Sequence, residues 1–121
     1  MSGLELARSE LKSLIEDMMI SCRGWVDAII IVSQDGAPIA YSANMDLDPD
    51  YVAAATSSIA GATDAVLELI NSKGFDCVDV KLKEKRYFLI RRYRDYYVVA
   101  VTKPNPNLGF INLVFEAYLS R

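Results

Sequence analysis

Apolar residues recur at steps of three and four through the first part of the chain. Leu4, Ala7, Leu11, Leu14, Ile15, Met18 and Cys22 fall on one stripe, which predicts an amphipathic helix over residues 3–22. Ser2-Gly3-Leu4-Glu5 has the Ser-x-x-Glu form in which two side chains satisfy free backbone N–H groups, placing the helix start at the extreme N-terminus. Arg23-Gly24 ends the helix. The period then changes. Ile29-Ile30-Ile31-Val32 is β-branched throughout and apolar on both faces, so Trp25 to Ser33 reads as a central strand covered on both sides. Asp35-Gly36 is a strong hairpin signal, and Pro38 to Ser42 returns as a strand. Proline cannot donate to a ladder, which suits the start of an edge strand.

Asp48 and Pro49 read as an N-cap and first helical residue, with a second helix running to about Ser72 and Gly74 as its left-handed stop. Two stripes run along that helix. Val52, Ala55, Ile59, Ala62, Val66, Leu69 and Ile70 form one, assigned to the sheet; Ala54, Ser58, Gly61 and Ala65, all small, form the other. Val78, Val80 and Leu82 alternate with Asp79, Lys81 and Lys83, giving a third strand over Cys77 to Glu84 with one wet face. Tyr87 to Tyr93 and Tyr96 to Lys103 are two more strands joined at Arg94-Asp95, the last of them apolar on both faces and therefore central. Pro104-Asn105-Pro106-Asn107 is a rigid loop before a closing helix, Leu108 to Leu119. The order α-β-β-α-β-β-β-α describes an α+β domain built on a five-stranded antiparallel sheet.

At 121 residues the chain has room for one domain, residues 1–121 with the N-terminal helix of residues 1–23 included. Lys+Arg 13 against Asp+Glu 16 gives a net charge of −3, which does not suit a polyanion such as nucleic acid. No apolar run reaches the roughly 18 residues of a membrane span, and no secretory signal precedes the first helix, so the expected location is the cytoplasm, without membrane insertion. The chain has no histidine, which removes the commonest general base and metal ligand together. Cys22 and Cys77 lack metal or redox spacing and read as two buried thiols. Asp46, Asp48 and Asp50 fail the calcium-loop pattern, because the sixth and twelfth places hold Tyr51 and Ser57; capping explains them better. The glycines form no phosphate loop. No catalytic residue, cofactor or metal is therefore expected.

The run Ala28-Ile29-Ile30-Ile31-Val32-Ser33-Gln34-Asp35-Gly36-Ala37-Pro38-Ile39-Ala40 resembles the apolar strand, Asp-Gly turn and returning strand of the roadblock/LC7 family. Val52-Ala53-Ala54-Ala55 in the second helix fits, as does Asn107-Leu108-Gly109 after a strand ending Val101-Thr102. No one of these segments is diagnostic; their order and spacing carry the likeness. The resemblance implies a sheet with helix 2 on one face and helices 1 and 3 on the other. It also implies dimers in which the second helices pack together and the third strands pair. Members regulate or scaffold small Ras-like GTPases, serve in motility and lysosomal-type complexes, or act as dynein light chains.

Within that frame the small stripe allows close approach, either to the protein's own sheet or to a second copy. Gly61 costs about 1 kcal/mol relative to alanine inside a helix and brings no local benefit. The expected dimer contacts are Ala54, Ser58, Gly61, Ala62, Ala65, Val78 and Val80, and the expected partner contacts Ser57, Asp64 and Glu68. Lys81, Lys83, Lys85, Arg86, Arg91, Arg92 and Arg94 interleave with tyrosines, a pattern open to nucleic-acid stacking but better read as solvated strand ends. Arg91, Arg92 and Arg94 are available in principle as an arginine finger, although their spacing marks none of them. The expected function is a homodimeric module that binds and regulates or positions a small Ras-like GTPase and is not itself an enzyme. A passive scaffold or light-chain subunit and a small-molecule sensor are the alternatives.

Overall fold

A computed structural model describes residues 3–120, with side chains from Ala7 onward. The elements are α1 (Gly3–Ser21), β1 (Val26–Ser33), β2 (Pro38–Ala43), α2 (Pro49–Leu69), β3 (Cys77–Lys81), β4 (Tyr87–Tyr93), β5 (Tyr96–Thr102) and α3 (Leu108–Leu119). The expected element order is the observed one. Ser2, assigned to the first helix cap, lies outside the described residues, as does the side chain of Glu5.

The five strands form one antiparallel sheet in the order β2-β1-β5-β4-β3. The strands read as apolar on both faces, β1 and β5, are interior, and β2 with Pro38 at its start is an edge. One face packs Ile29, Ile31, Leu89, Val98 and Ala100 against Leu11, Ile15 and Met18 of α1 and Ile111 and Phe115 of α3. The other packs Ile30, Val32, Ile90 and Val99 beneath Ala53 and Ala60 of α2. The layer arrangement implied by the resemblance is therefore present. Leu11, Ile15 and Met18 from the apolar stripe of α1 lie in the core on this sheet.

Several boundaries differ from the pattern-based reading, each for a local reason. Helix α2 ends at Leu69, and the left-handed residue that closes it is Asn71 (φ 58°); Gly74 also has positive φ (121°) but lies farther along the loop. Asn71 N–H donates to the Glu68 carbonyl at 3.2 Å and Ser72 N–H to the Leu67 carbonyl at 2.9 Å, satisfying carbonyls the helix leaves free. Strand β3 stops at Lys81, not Glu84, because Leu82 N–H already bonds the Arg86 carbonyl (2.8 Å) across a turn in which Lys85 has φ 67°. At the start of α2 the expectation holds: the Asp48 carboxylate accepts from Asp50 N–H at 2.9 Å, and Pro49 opens the helix.

Candidate interaction surface

Helix α2 is apolar around most of its circumference, and a sheet can cover only one side of it. The side it covers is Ala53, Thr56 and Ala60, flanked by Val52 and Ile59. This corrects the stripe read from the sequence. Ala55, Ala62, Val66, Leu69 and Ile70 were assigned to the sheet, yet they face solvent, with Val66 59% and Leu69 84% exposed. Small residues at the true contact explain the choice, since Ala53 and Ala60 bring the helix close to β1 and longer side chains would hold it away. The Thr56 hydroxyl avoids a burial penalty by donating to the Val52 carbonyl at 2.8 Å.

The small stripe is exposed as well. Ala54, Ser58, Gly61 and Ala65 all lie on the outer side, and a Cβ added at Gly61 would meet no atom within 4 Å. Close approach to the chain's own sheet, one of the two readings of that stripe, is thereby excluded. Together with Tyr51 (78% exposed), Val66 and Leu69, these residues make one continuous surface of small and apolar side chains. The sequence carried a signal for the larger members, namely that apolar residues surround the helix, but periodicity alone did not say which side the sheet takes.

At the opposite end of the sheet from β2, β3 is the other edge, paired among the described residues with β4 alone. Val78 is half-buried and Val80 is 37% exposed. Leu82, expected to extend the strand, sits in the turn instead. The expected partner contacts divide. Ser57 is engaged, its hydroxyl donating to the Gln34 carbonyl at 3.2 Å where the Asp35-Gly36 turn packs on α2. Asp64 and Glu68 line an open cleft of about 700 Å³ together with Ser72, Phe75, Asp76 and Arg92.

The basic cluster is largely occupied by the protein itself. Arg86 reaches Asp27 (3.1 Å) and the Thr102 carbonyl (3.2 Å), while Lys103 reaches the other Asp27 oxygen at 2.6 Å. Arg91 donates to Asp79 at 2.5 Å and to Asn112 at 2.9 Å. Arg92 donates to the Phe75 carbonyl at 3.2 Å beside the Phe75 and Tyr97 rings, and Arg94 lies over Tyr93. These contacts spread the cations over both faces of the sheet and the strand ends. Asp27, buried with two cations on it, carried no distinguishing signal in the sequence.

The two thiols are not alike. Cys22 is buried, and burial pushes its pKa up to about 11. Cys77 is exposed, correcting the expectation of two buried cysteines, because it opens an edge strand that no helix covers. A thiol reagent at neutral pH is expected to modify Cys77 in the native protein and spare Cys22 until denaturation. Two equivalents of native reaction, counted by mass spectrometry, would contradict this assignment.

Among the described residues no group of three or more candidate ligands could hold a metal ion, and no helix is long and apolar enough to cross a membrane.

Comparison with known proteins places this surface in a family context. No curated protein matches the chain by sequence. Among solved structures, MglB of Myxococcus xanthus superposes with a TM-score of 0.84 at 13% identity, covering 93% of this chain and 84% of that one. An MglB with a tetrameric arrangement gives a TM-score of 0.78 at 16% identity, covering 98% of this chain and 87% of that one. A Roadblock/LC7 domain from Streptomyces avermitilis gives 0.76 at 13% identity, covering 90% and 91%. At such identities these likenesses establish the fold. The model of the Roadblock/LC7 domain matches residues 23–102, the whole span from the end of α1 to the end of β5. The chain thus belongs to the Roadblock/LC7 domain family.

Proposed function

We propose that this chain forms a homodimer through α2 and β3 and in that form binds and regulates or positions a small Ras-like GTPase, without catalytic groups of its own. The observation that carries the reading is the outer face of α2. Tyr51, Val66 and Leu69 are each more than half exposed and flank a row of alanine, serine and glycine, and β3 forms an edge of the sheet. A helix that displays such a face gains by covering it, and small side chains let a second helix approach closely. An unpaired β3 edge gains in the same way, since its free backbone groups can complete a ladder. Within this reading Ala54, Ser58, Gly61, Ala62, Ala65, Val78 and Val80 form the dimer contact, joined by Tyr51, Val66 and Leu69.

The GTPase reading follows from family membership and from the likeness to MglB structures, one of them in a tetrameric arrangement. In this reading Asp64 and Glu68 are contacts to such a partner, supported by their both lining the open cleft. Ser57 has a smaller part, its hydroxyl being bonded to Gln34. The cytoplasm is the expected place of action.

Affinity capture with the tagged chain, run in parallel with GDP and a non-hydrolysable GTP analogue, tests this. A small GTPase retained mainly in one nucleotide state, and lost on Asp64→Arg/Glu68→Arg substitution while the bait stays dimeric, is the expected result. A partner set indifferent to nucleotide would replace the regulator with a passive scaffold.

A further inference from the structure

Resting on the homodimer reading, we propose that the two-fold axis of the pair crosses β3 at Val80, so that Asp79 of each copy faces Lys81 of the other. The backbone limits the choice first. Arg92 N–H donates to the Asp76 carbonyl (3.0 Å) and Leu82 N–H to the Arg86 carbonyl (2.8 Å), at the two ends of the β3–β4 pairing. Antiparallel strands alternate strictly, so Asp76, Val78, Val80 and Leu82 direct their backbone groups toward β4. Cys77, Asp79 and Lys81 direct theirs outward, and these three alone can bond a second copy within the strand. Matching outward residues to outward residues puts the axis on a residue of β3 and never between two neighbours.

The side chains then separate the remaining registers. Asp79 and Lys81 share one face, that of Arg91 and α3, whereas Val78 and Val80 share the α2 face. With the axis on Val80, Asp79 lies opposite Lys81 twice, Val80 opposite itself and Val78 opposite Leu82. With the axis on Asp79, more of the strand overlaps, but Asp79 faces its own copy and Cys77 faces Lys81. An axis on Lys81 sets two lysines together and Val78 against Glu84. An axis on Val78 sets Val80 against Asp76.

Like charges directly opposite are destabilising and opposite charges stabilising; within Cys77–Lys81 only the Val80 register sets Asp79 against Lys81 while keeping Val78 and Val80 against apolar residues, and Asp76 then meets Glu84 beyond the strand ends. In general, an acid and a base two residues apart on one face of an edge strand are self-complementary when the axis runs between them. The Asp79 carboxylate has capacity for both cations: Arg91 occupies Oδ1 at 2.5 Å, and its second oxygen is open to Lys81 of the other copy. Lys81 extends over the Tyr87 ring on that same face. Val80, 37% exposed, is the apolar side chain the register covers.

Single cysteines at positions 78, 79, 80 and 81, each in a Cys77→Ser background, test the register by oxidative cross-linking with masses read by light scattering. Val80 opposite itself is a non-hydrogen-bonded pair with Cα atoms about 4.5 Å apart, inside the range a disulfide spans. Val80→Cys is expected to cross-link at least roughly tenfold faster than the other three, Cys22 being buried and silent. Fastest linkage at 78, 79 or 81 overturns the register and leaves the dimer standing. No linkage with a dimeric mass overturns pairing through β3, and no linkage with a monomeric mass overturns the homodimer itself. Independently, Asp79→Lys and Lys81→Asp each weaken self-association on the order of tenfold, and an equimolar mixture restores it because each charge again meets its opposite. A mixture no tighter than either variant alone overturns the proposal.

Discussion

Gly61→Leu is expected to split the proposed homodimer into monomers while leaving the fold of each chain intact. Gly61 faces open space within its own chain, so a larger side chain there meets nothing in the monomer. Across a two-fold helix pair the same side chain enters the contact twice. Overpacking costs about 1–3 kcal/mol per site. Doubled by symmetry, that is about 2–6 kcal/mol, or roughly 30-fold to ten-thousandfold in the dissociation constant. Ser58→Leu, on the same row, is expected to act in the same direction. Gly61→Ala separates the two effects: one methyl group is tolerated at the contact, and α2 gains about 1 kcal/mol of helix propensity. Light scattering over a concentration series, with thermal denaturation of the same samples, reads both quantities. An unchanged mass for Gly61→Leu and Ser58→Leu would remove the α2 contact from the proposed dimer.

Asp27→Ala is expected to cost about 1–3 kcal/mol of stability. The Asp27 side chain is 8% exposed and ties three parts of the sheet together. It stands near the start of β1, Arg86 precedes β4, and Lys103 follows β5. Removing the carboxylate leaves the Arg86 guanidinium half-covered with only the Thr102 carbonyl to accept from it. Fully buried pairs lose more when broken, about 3–5 kcal/mol, but the Lys103 side chain is 52% exposed and water replaces its partner at little cost. Asp27→Asn keeps an acceptor without the charge and is expected to fall between. Urea denaturation at one fixed protein concentration measures the difference, since dimerisation would otherwise add to it. A change below about 0.5 kcal/mol for Asp27→Ala would make the clamp dispensable.

The proposed functional surface and the stability of the domain therefore rest on different chemistry. In the proposed dimer, self-association depends on side chains that do almost nothing within one chain, above all Gly61 and its neighbours. Stability depends on a core that the helices close on both faces of the sheet, and on Asp27 at its margin.

The amino-acid sequence by itself determined the element order, the interior places of β1 and β5 and the capping of α2. Each of these is set by neighbours in the chain: the period of the apolar residues, β-branching in Ile29–Val32, and the Asp48-Pro49 start. It also singled out Gly61 and the small row, because a glycine inside a helix is a local cost that only a distant contact can offset. Tertiary structure alone decided which side of α2 meets the sheet. Neither stripe read from the sequence took that place; Ala53, Thr56 and Ala60 did, flanked by Val52 and Ile59. That choice turned Val66, Leu69 and Ile70 outward and made a surface of what periodicity had assigned to the core. Asp27 with Arg86 and Lys103, and Asp79 with Arg91, were equally beyond the sequence. Partners separated by 59, 76 and 12 positions meet only when the strands pair, and no local pattern encodes such a distance.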